Sequence, residues 1–222
     1  MKKFFCLTIV ALMCFALVAC ANQESTEQSE NSSTQPTAQA TASSQTENTE
    51  QTQVSQTPAD TTEANALVVY FSWSGNTQAV ANEIQSQTGA DIFEIIPVQP
   101  YTEDYDALLD IAQEEQQAAA RPEFTGTVEG LENVDVVYLG YPIWWGDMPM
   151  VLYTFLEEYD LAGKTIVPFV TSGGSGFSQT INEIKELEPD AEVAEGLALR
   201  SSEVENADSA VEQWLSDIQI AK

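Results

Sequence analysis

An α/β chain, with a parallel sheet covered by helices on both faces, is what these 222 residues predict. Three observations predict it. Five apolar runs recur from Ala66 onward, helical periods fall between them, and the longest runs, Leu67 to Phe71 and Val134 to Tyr141, are nearly continuous rather than alternating. Continuous runs belong to strands buried on both faces, and strands that alternate with helices form a parallel sheet with right-handed crossovers.

Before the first strand come two segments that do not belong to the fold. Lys2 and Lys3 precede an apolar run, Phe4 to Val18, too short for a comfortable membrane span and suited to a secretory signal. It closes on Leu17-Val18-Ala19-Cys20, which resembles the bacterial lipobox. The resemblance implies that residues 1–19 are a lipoprotein signal peptide and that Cys20 is the lipidated first residue of the mature chain. A plain signal peptide with an incidental cysteine is the alternative. All three cysteines, Cys6, Cys14 and Cys20, lie here, so no thiol remains downstream for a disulfide. Residues 20–65 continue as Ser, Thr, Gln, Glu, Asn, Ala and Pro, with Val54 the only branched aliphatic and no aromatic. Such a stretch buries too little apolar surface to offset its chain entropy and reads as a disordered polar tether. Its typical reach is about 35–40 Å.

Residues 66–222 then read as one domain. After the run Leu67 to Phe71 come shorter runs at Ile92 to Ile96, Ile166 to Val170 and Val193 to Leu199, with Val134 to Tyr141 as the third strand. Helical spacing links Tyr105, Leu108, Leu109 and Ala112; Leu152, Phe155, Leu156 and Tyr159; Ile181, Ile184 and Leu187; and Val211, Trp214, Leu215 and Ile218. A further helix opens behind the first strand. Asp147 is a cap for the third helix with Pro149 in its first turn, Gly163 a stop, Ser178 a cap for the fourth, and Asn206 or Asp208 for the last. Tyr101 and Tyr105 are available to a lid, although the register of Tyr105 favours core packing. Pro168 lies inside the fourth run, where it deletes a ladder donor, so a bulge or irregular ladder is expected.

Ligands of such sheets sit outside the carboxyl ends of the strands. The loop SWSGNT, Ser72 to Thr77, leaves the first strand and opens a helix whose first N–H groups lack intrahelical partners. Those groups and the helix dipole favour an anion, and Gly75 lets the backbone curl around it. The loop holds no Lys or Arg, so one terminal phosphate fits better than a triphosphate. A Ser/Asn-rich cap without a ligand is the alternative. After the third strand, GYPIWWGDMP carries Trp144 and Trp145, at least one of which belongs at the mouth of a site. After the fourth, TSGGSGFS exposes backbone amides and carbonyls at Thr171 to Ser178.

Composition removes other classes. The whole chain has 35 acidic and 7 basic residues, which argues against nucleic acid as a partner, since phosphate backbones are met by basic surfaces. It has no histidine, which excludes Ser-His, Cys-His and His-based zinc chemistry.

On these residues the chain resembles the flavodoxin family, with SWSGNT close to the family's T/S-x-T-G-N-T loop. The resemblance spans the region from Ala66 to Lys222. It implies a flavodoxin-like three-layer sandwich, a five-stranded parallel sheet in the order 2-1-3-4-5, and FMN as cofactor. The implied phosphate contacts are Ser72, Ser74, Gly75, Asn76 and Thr77, with Trp73 of the same loop also cofactor-binding. The implied ring contacts are Pro142, Ile143, Trp144, Trp145 and Gly146 on one loop and Thr171, Ser172, Gly173, Gly174, Gly176 and Phe177 on the other, with Trp144 preferred over Trp145. No catalytic side chain and no metal are assigned. Asp147, the only carboxylate in the ring loops, either tunes the flavin or caps the next helix. With 28 acidic and 5 basic residues from Ala66 onward, a low potential for the second electron is expected, because one like charge a few ångströms away costs about 1–4 kcal/mol. The same charge attracts basic faces of redox proteins, or is merely a soluble acidic surface. Three functions remain open: an FMN electron carrier at the cell envelope, an NAD(P)H-dependent FMN reductase of quinone-like or flavin acceptors, and a flavin-free binding module.

Overall fold

The computed structural model describes residues 65–218. The predicted signal peptide, Cys20 and the tether up to residue 64 lie outside the described residues. In chain order the elements are β1 (Ala66–Tyr70), α1 (Asn76–Thr88), β2 (Asp91–Glu94), β3 (Ile96–Pro97), α2 (Tyr105–Ala118), β4 (Phe124–Thr125), β5 (Val136–Pro142), α3 (Met150–Glu158), β6 (Thr165–Ser172), α4 (Thr180–Leu187), β7 (Glu192–Val193), β8 (Leu197–Arg200) and α5 (Ala207–Ile218).

The main sheet runs β2-β1-β5-β6-β7, all parallel, and β8 also pairs with β6. With β7 and β8 counted as one interrupted strand, this is the expected order 2-1-3-4-5. The interruption has a local cause. Ala194 N–H reaches Ile166 C=O at 2.9 Å, and the next ladder bond in a parallel pair would come from residue 168, where proline has no hydrogen. Pairing resumes at Phe169 with Leu197, so the fifth strand carries one extra residue against the fourth. Gly196 lies in that bulge because a Cβ there would come within 2.4 Å of the Pro168 carbonyl oxygen. On the other side of β6 the ladder is intact, with Pro168 opposite Leu139.

Alternate residues of each strand feed two cores. Leu67, Val69, Phe71, Val137, Leu139 and Tyr141 pack with Leu152, Phe155 and Ile184 of α3 and α4 on one face. Val68, Tyr70, Val136, Tyr138, Val167 and Phe169 pack with Val80, Ile84, Val211 and Trp214 of α1 and α5 on the other. Both faces are thus dry, which explains the continuous apolar runs. Gly140 sits opposite Phe169, where any Cβ would enter the phenyl ring at 2.1 Å.

Several expected ends and caps are corrected. The second apolar run breaks after Glu94, and Ile96–Pro97 pair antiparallel with Phe124–Thr125 in a separate small sheet. Pro149, not Asp147, precedes α3, and no side chain caps that helix. The Asp147 carboxylate instead accepts from Met148 N–H at 2.7 Å and from the Tyr153 hydroxyl at 3.1 Å. Helix α3 ends at Glu158 rather than Gly163, which turns the chain at φ 75°. Ser178 takes a left-handed turn, φ 51°, and leaves α4 uncapped; Thr180 Oγ1 donates to Phe177 C=O at 2.7 Å. Neither Asn206 nor Asp208 caps α5, since a 3₁₀ turn at Val204–Asn206 runs directly into it. Tyr105 is 60% exposed rather than core. As the first residue of α2 it stands ahead of the buried stripe of Leu108 and Ala112, and its ring meets Trp73 at 6.1 Å.

Candidate functional site

All the main strands are parallel, so the loops after β1, β5, β6 and β8 open at one edge. The order reverses between β1 and β5, which places the loops 71–75 and 143–149 side by side there. A single bond joins the phosphate-type loop to the glycine-rich loop: Thr77 Oγ1 and Thr171 Oγ1 are 2.9 Å apart, both buried. Ile143 N–H donates to Thr171 C=O at 3.0 Å, which ties the tryptophan loop to the same point.

The loop of Ser72 to Thr77 has the features an anion requires. Gly75 precedes α1 at φ 85°, a left-handed conformation favoured by glycine, and no side chain caps the helix. The first turn of α1 contains no acidic residue. Ser72 Oγ is buried without a hydrogen-bond partner, alone in this among the described residues. A buried hydroxyl without a partner carries its desolvation cost uncompensated, and a phosphate oxygen would supply the missing acceptor. The residues present therefore fit the phosphate end of a ligand. Trp73 is oriented away from this role: its indole N–H donates to Thr102 C=O at 2.8 Å. Outside the loop, Ser201 and Ser202 share with Ser74, Gly75 and Asn76 an open cavity of 540 Å³. Neither serine was singled out in the sequence, although both follow the fifth strand at its carboxyl end, where ligands of such sheets sit.

The two tryptophans sit on a tight hairpin. Trp144 and Asp147 exchange backbone bonds at 2.8 and 2.9 Å, and the two residues between them both have positive φ, 50° at Trp145 and 78° at Gly146. Primed turns of two-residue hairpins require this, and an aromatic residue at such a φ is uncommon. Trp144 is half-buried, edge-on to Phe71 at 5.5 Å and to Tyr101 at 5.1 Å. Trp145 is 51% exposed, and its indole N–H donates to Leu109 C=O at 2.9 Å. Behind the hairpin, burial and the neighbouring Asp147 hold the Tyr153 hydroxyl protonated, well above its ordinary range. Burial, with help from Glu115, does the same for Tyr101, whose hydroxyl donates to that carboxylate at 2.8 Å.

The glycine-rich loop is held from below. Tyr141 OH donates to Thr180 Oγ1 at 2.9 Å, and Thr180 in turn fixes Phe177 C=O. Gly174 and Gly176 have φ 128° and 60°, and Gly174 N–H is turned back onto Ser172 Oγ at 3.1 Å. Arg200, which the sequence did not single out, lies beside Gly174, 3.6 Å from where its Cβ would stand. Thus Thr77, Ile143 and Thr171 are brought together by direct bonds. Among the described residues no cluster of acidic, Cys or His side chains forms a metal site, and no helix is long and apolar enough to cross a membrane.

A three-layer α/β sandwich with an uncapped helix behind a Ser/Gly/Asn loop at the switch point defines a class of phosphate-anchored ligand-binding domains. The family model described as flavodoxin matches residues 65–218, and the chain belongs to the flavodoxin family. Among solved structures it is similar to a protein from Bacteroides eggerthii assigned as a flavoprotein, at 35% identity over 70% of this chain and 98% of that one, with a TM-score of 0.63. A counterpart from Bacteroides uniformis is 30% identical over 69% and 99%, with a TM-score of 0.62. A flavoprotein from Lactobacillus acidophilus, solved in complex with FMN, is 26% identical over 64% and 97%, with a TM-score of 0.55. No curated protein matches.

Proposed function

We propose that the chain is an FMN-binding electron-transfer protein, held on the extracytoplasmic side of a bacterial membrane by lipidated Cys20 and a polar tether. The observation that carries the flavin reading is the partnerless buried Ser72 Oγ in the loop that opens the uncapped α1. The FMN complex of the Lactobacillus acidophilus relative supports it. When bound, FMN supplies one- and two-electron redox chemistry.

The chain's own residues bind and tune. Backbone N–H groups of the first turn of α1, with the hydroxyls of Ser72 and Ser74, hold the phosphate. Loops Pro142 to Gly146 and Thr171 to Phe177 hold the ring and shield it from water. The 28 acidic and 5 basic residues from Ala66 onward disfavour added negative charge on the ligand and attract redox proteins with basic faces. They also repel anionic headgroups, so attachment rests on the lipid.

Titration of the flavin-free protein with FMN and riboflavin tests the core of this reading. A yellow complex with FMN, and much weaker binding of riboflavin, is expected; no complex with either refutes it. For the anchor, Cys20→Ser should leave an unprocessed or released protein. Membrane fractionation at the same processed size would refute the lipoprotein reading.

A further inference from the structure

The tryptophan hairpin has a second side. Away from the glycine-rich loop, a cleft of 180 Å³ opens between the hairpin and α2, walled by Tyr105, Leu108 and Leu109 on the helix and Ile143, Trp144 and Trp145 on the loop. No residue of the 171–177 loop lines it, so it is distinct from the space between the two ring loops.

Three features set it apart from ordinary surface. Its lining contains no charged side chain, on a domain with 28 acidic residues. Four large hydrophobic side chains are exposed among the described residues, and two of them, Tyr105 and Trp145, stand here. Trp145 is kept in a left-handed conformation by its turn while its indole N–H is fixed to Leu109 C=O, so the ring cannot fold away. Strain of this kind persists where the surroundings over-determine it, commonly at ligand clamps.

The chemistry of the lining selects the ligand. An apolar cavity of about 150 Å³ takes up benzene, so this open cleft suits one or two fused rings. The cations among the described residues are Arg121, Lys164, Lys185 and Arg200, and none lines it. The phosphates of a dinucleotide would find no counter-charge here and an acidic surface around them.

We propose that this cleft is a binding subsite for a neutral, planar aromatic compound of one or two fused rings, stacked against Trp145. It rests on the flavin reading only in lying beside the flavin loop; the cleft itself is formed by the chain.

The test is photolabelling of the full-length protein, with and without FMN, by an azido-1,4-naphthoquinone, followed by peptide mapping. Label is expected on the peptides carrying Tyr105 to Ala112 and Ile143 to Trp145. Unlabelled 1,4-naphthoquinone should displace it at least about tenfold better than the 2-sulfonate, since burying a charge without a partner is costly. Leu109→Trp fills the cleft and Leu109→Asp charges it. Both should cut labelling by about tenfold or more while circular dichroism and the FMN titration stay as in wild type. Because labelling is also measured without flavin, failure to bind FMN leaves the cleft result standing, and the reverse. Label scattered over the surface, equal competition by the sulfonate, or two variants that label like wild type would overturn the proposal. So would loss of label at saturating FMN, which makes the cleft the flavin's own seat, or loss with rising protein concentration, which assigns it to a second copy of the chain.

Discussion

Replacing Ser72 by alanine should move stability and ligand affinity in opposite directions. In the flavin-free protein the Ser72 hydroxyl is buried and unpartnered, and a group in that condition costs about 1–3 kcal/mol. Deleting one oxygen creates almost no cavity and removes that cost, so Ser72→Ala should raise the unfolding free energy of the flavin-free protein by about 1 kcal/mol or more. If the loop holds the FMN phosphate as proposed, the same hydroxyl would donate to a charged phosphate oxygen in the complex, a bond worth about 1.5–3 kcal/mol. Its loss should weaken FMN about 10- to 150-fold, with riboflavin binding nearly unchanged because it has no phosphate. Urea unfolding of the flavin-free protein and fluorescence titration with both flavins read the two effects separately. A variant that is less stable without flavin and binds FMN as tightly as wild type would show that Ser72 Oγ has a structural partner and does not face a phosphate.

Other expectations follow from the same geometry. Gly75 has φ 85° and open space around its missing side chain, so Gly75→Ala should cost about 1–2 kcal/mol from backbone strain alone, and Gly75→Asn, which tolerates that region, should recover part of it in urea unfolding. Trp144 is wedged between Phe71 and Tyr101, so Trp144→Ala should lower stability by about 3–5 kcal/mol. Trp145→Gly relieves a positive φ and removes an exposed ring, and should change stability by less than about 1 kcal/mol; equal melting losses for the two would refute this assignment. Burial, with Asp160 nearby, pushes the Glu188 carboxyl from 4.5 up to about 7. The folded state therefore holds this proton where the unfolded chain has released it. Its stabilising contribution is complete below pH 4.5 and is lost as pH rises through about 7. At ~1.4 kcal/mol per pKa unit, Glu188→Gln should be more stable than wild type by about 3 kcal/mol at about pH 8 and by much less at about pH 5. A constant difference across that range would refute the burial argument.

The sequence by itself determined the layers, because a strand dry on both faces must be apolar at every position, as Leu67 to Phe71 and Val136 to Tyr141 are. It also placed the three loops at the carboxyl ends of β1, β5 and β6, since glycine and hydroxyl residues at a strand-to-helix junction follow from local backbone chemistry. Even the irregular ladder at Pro168 was legible, a missing hydrogen being a covalent fact. The ends of helices were less so. Asp147 and Ser178 have cap chemistry, but the side chain of the first is drawn to Tyr153, six residues on and buried with it, and the second is turned left-handed. Register misled at Tyr105 because a helical period does not say where the covering layer stops. Only the tertiary structure decided which tryptophan is packed and which is presented, that Thr77 meets Thr171 across 94 positions of chain, and that Ser72 is left without a partner. Each of these depends on what the far side of the sheet brings to the same point, and pairing between distant segments leaves no period or motif in either one.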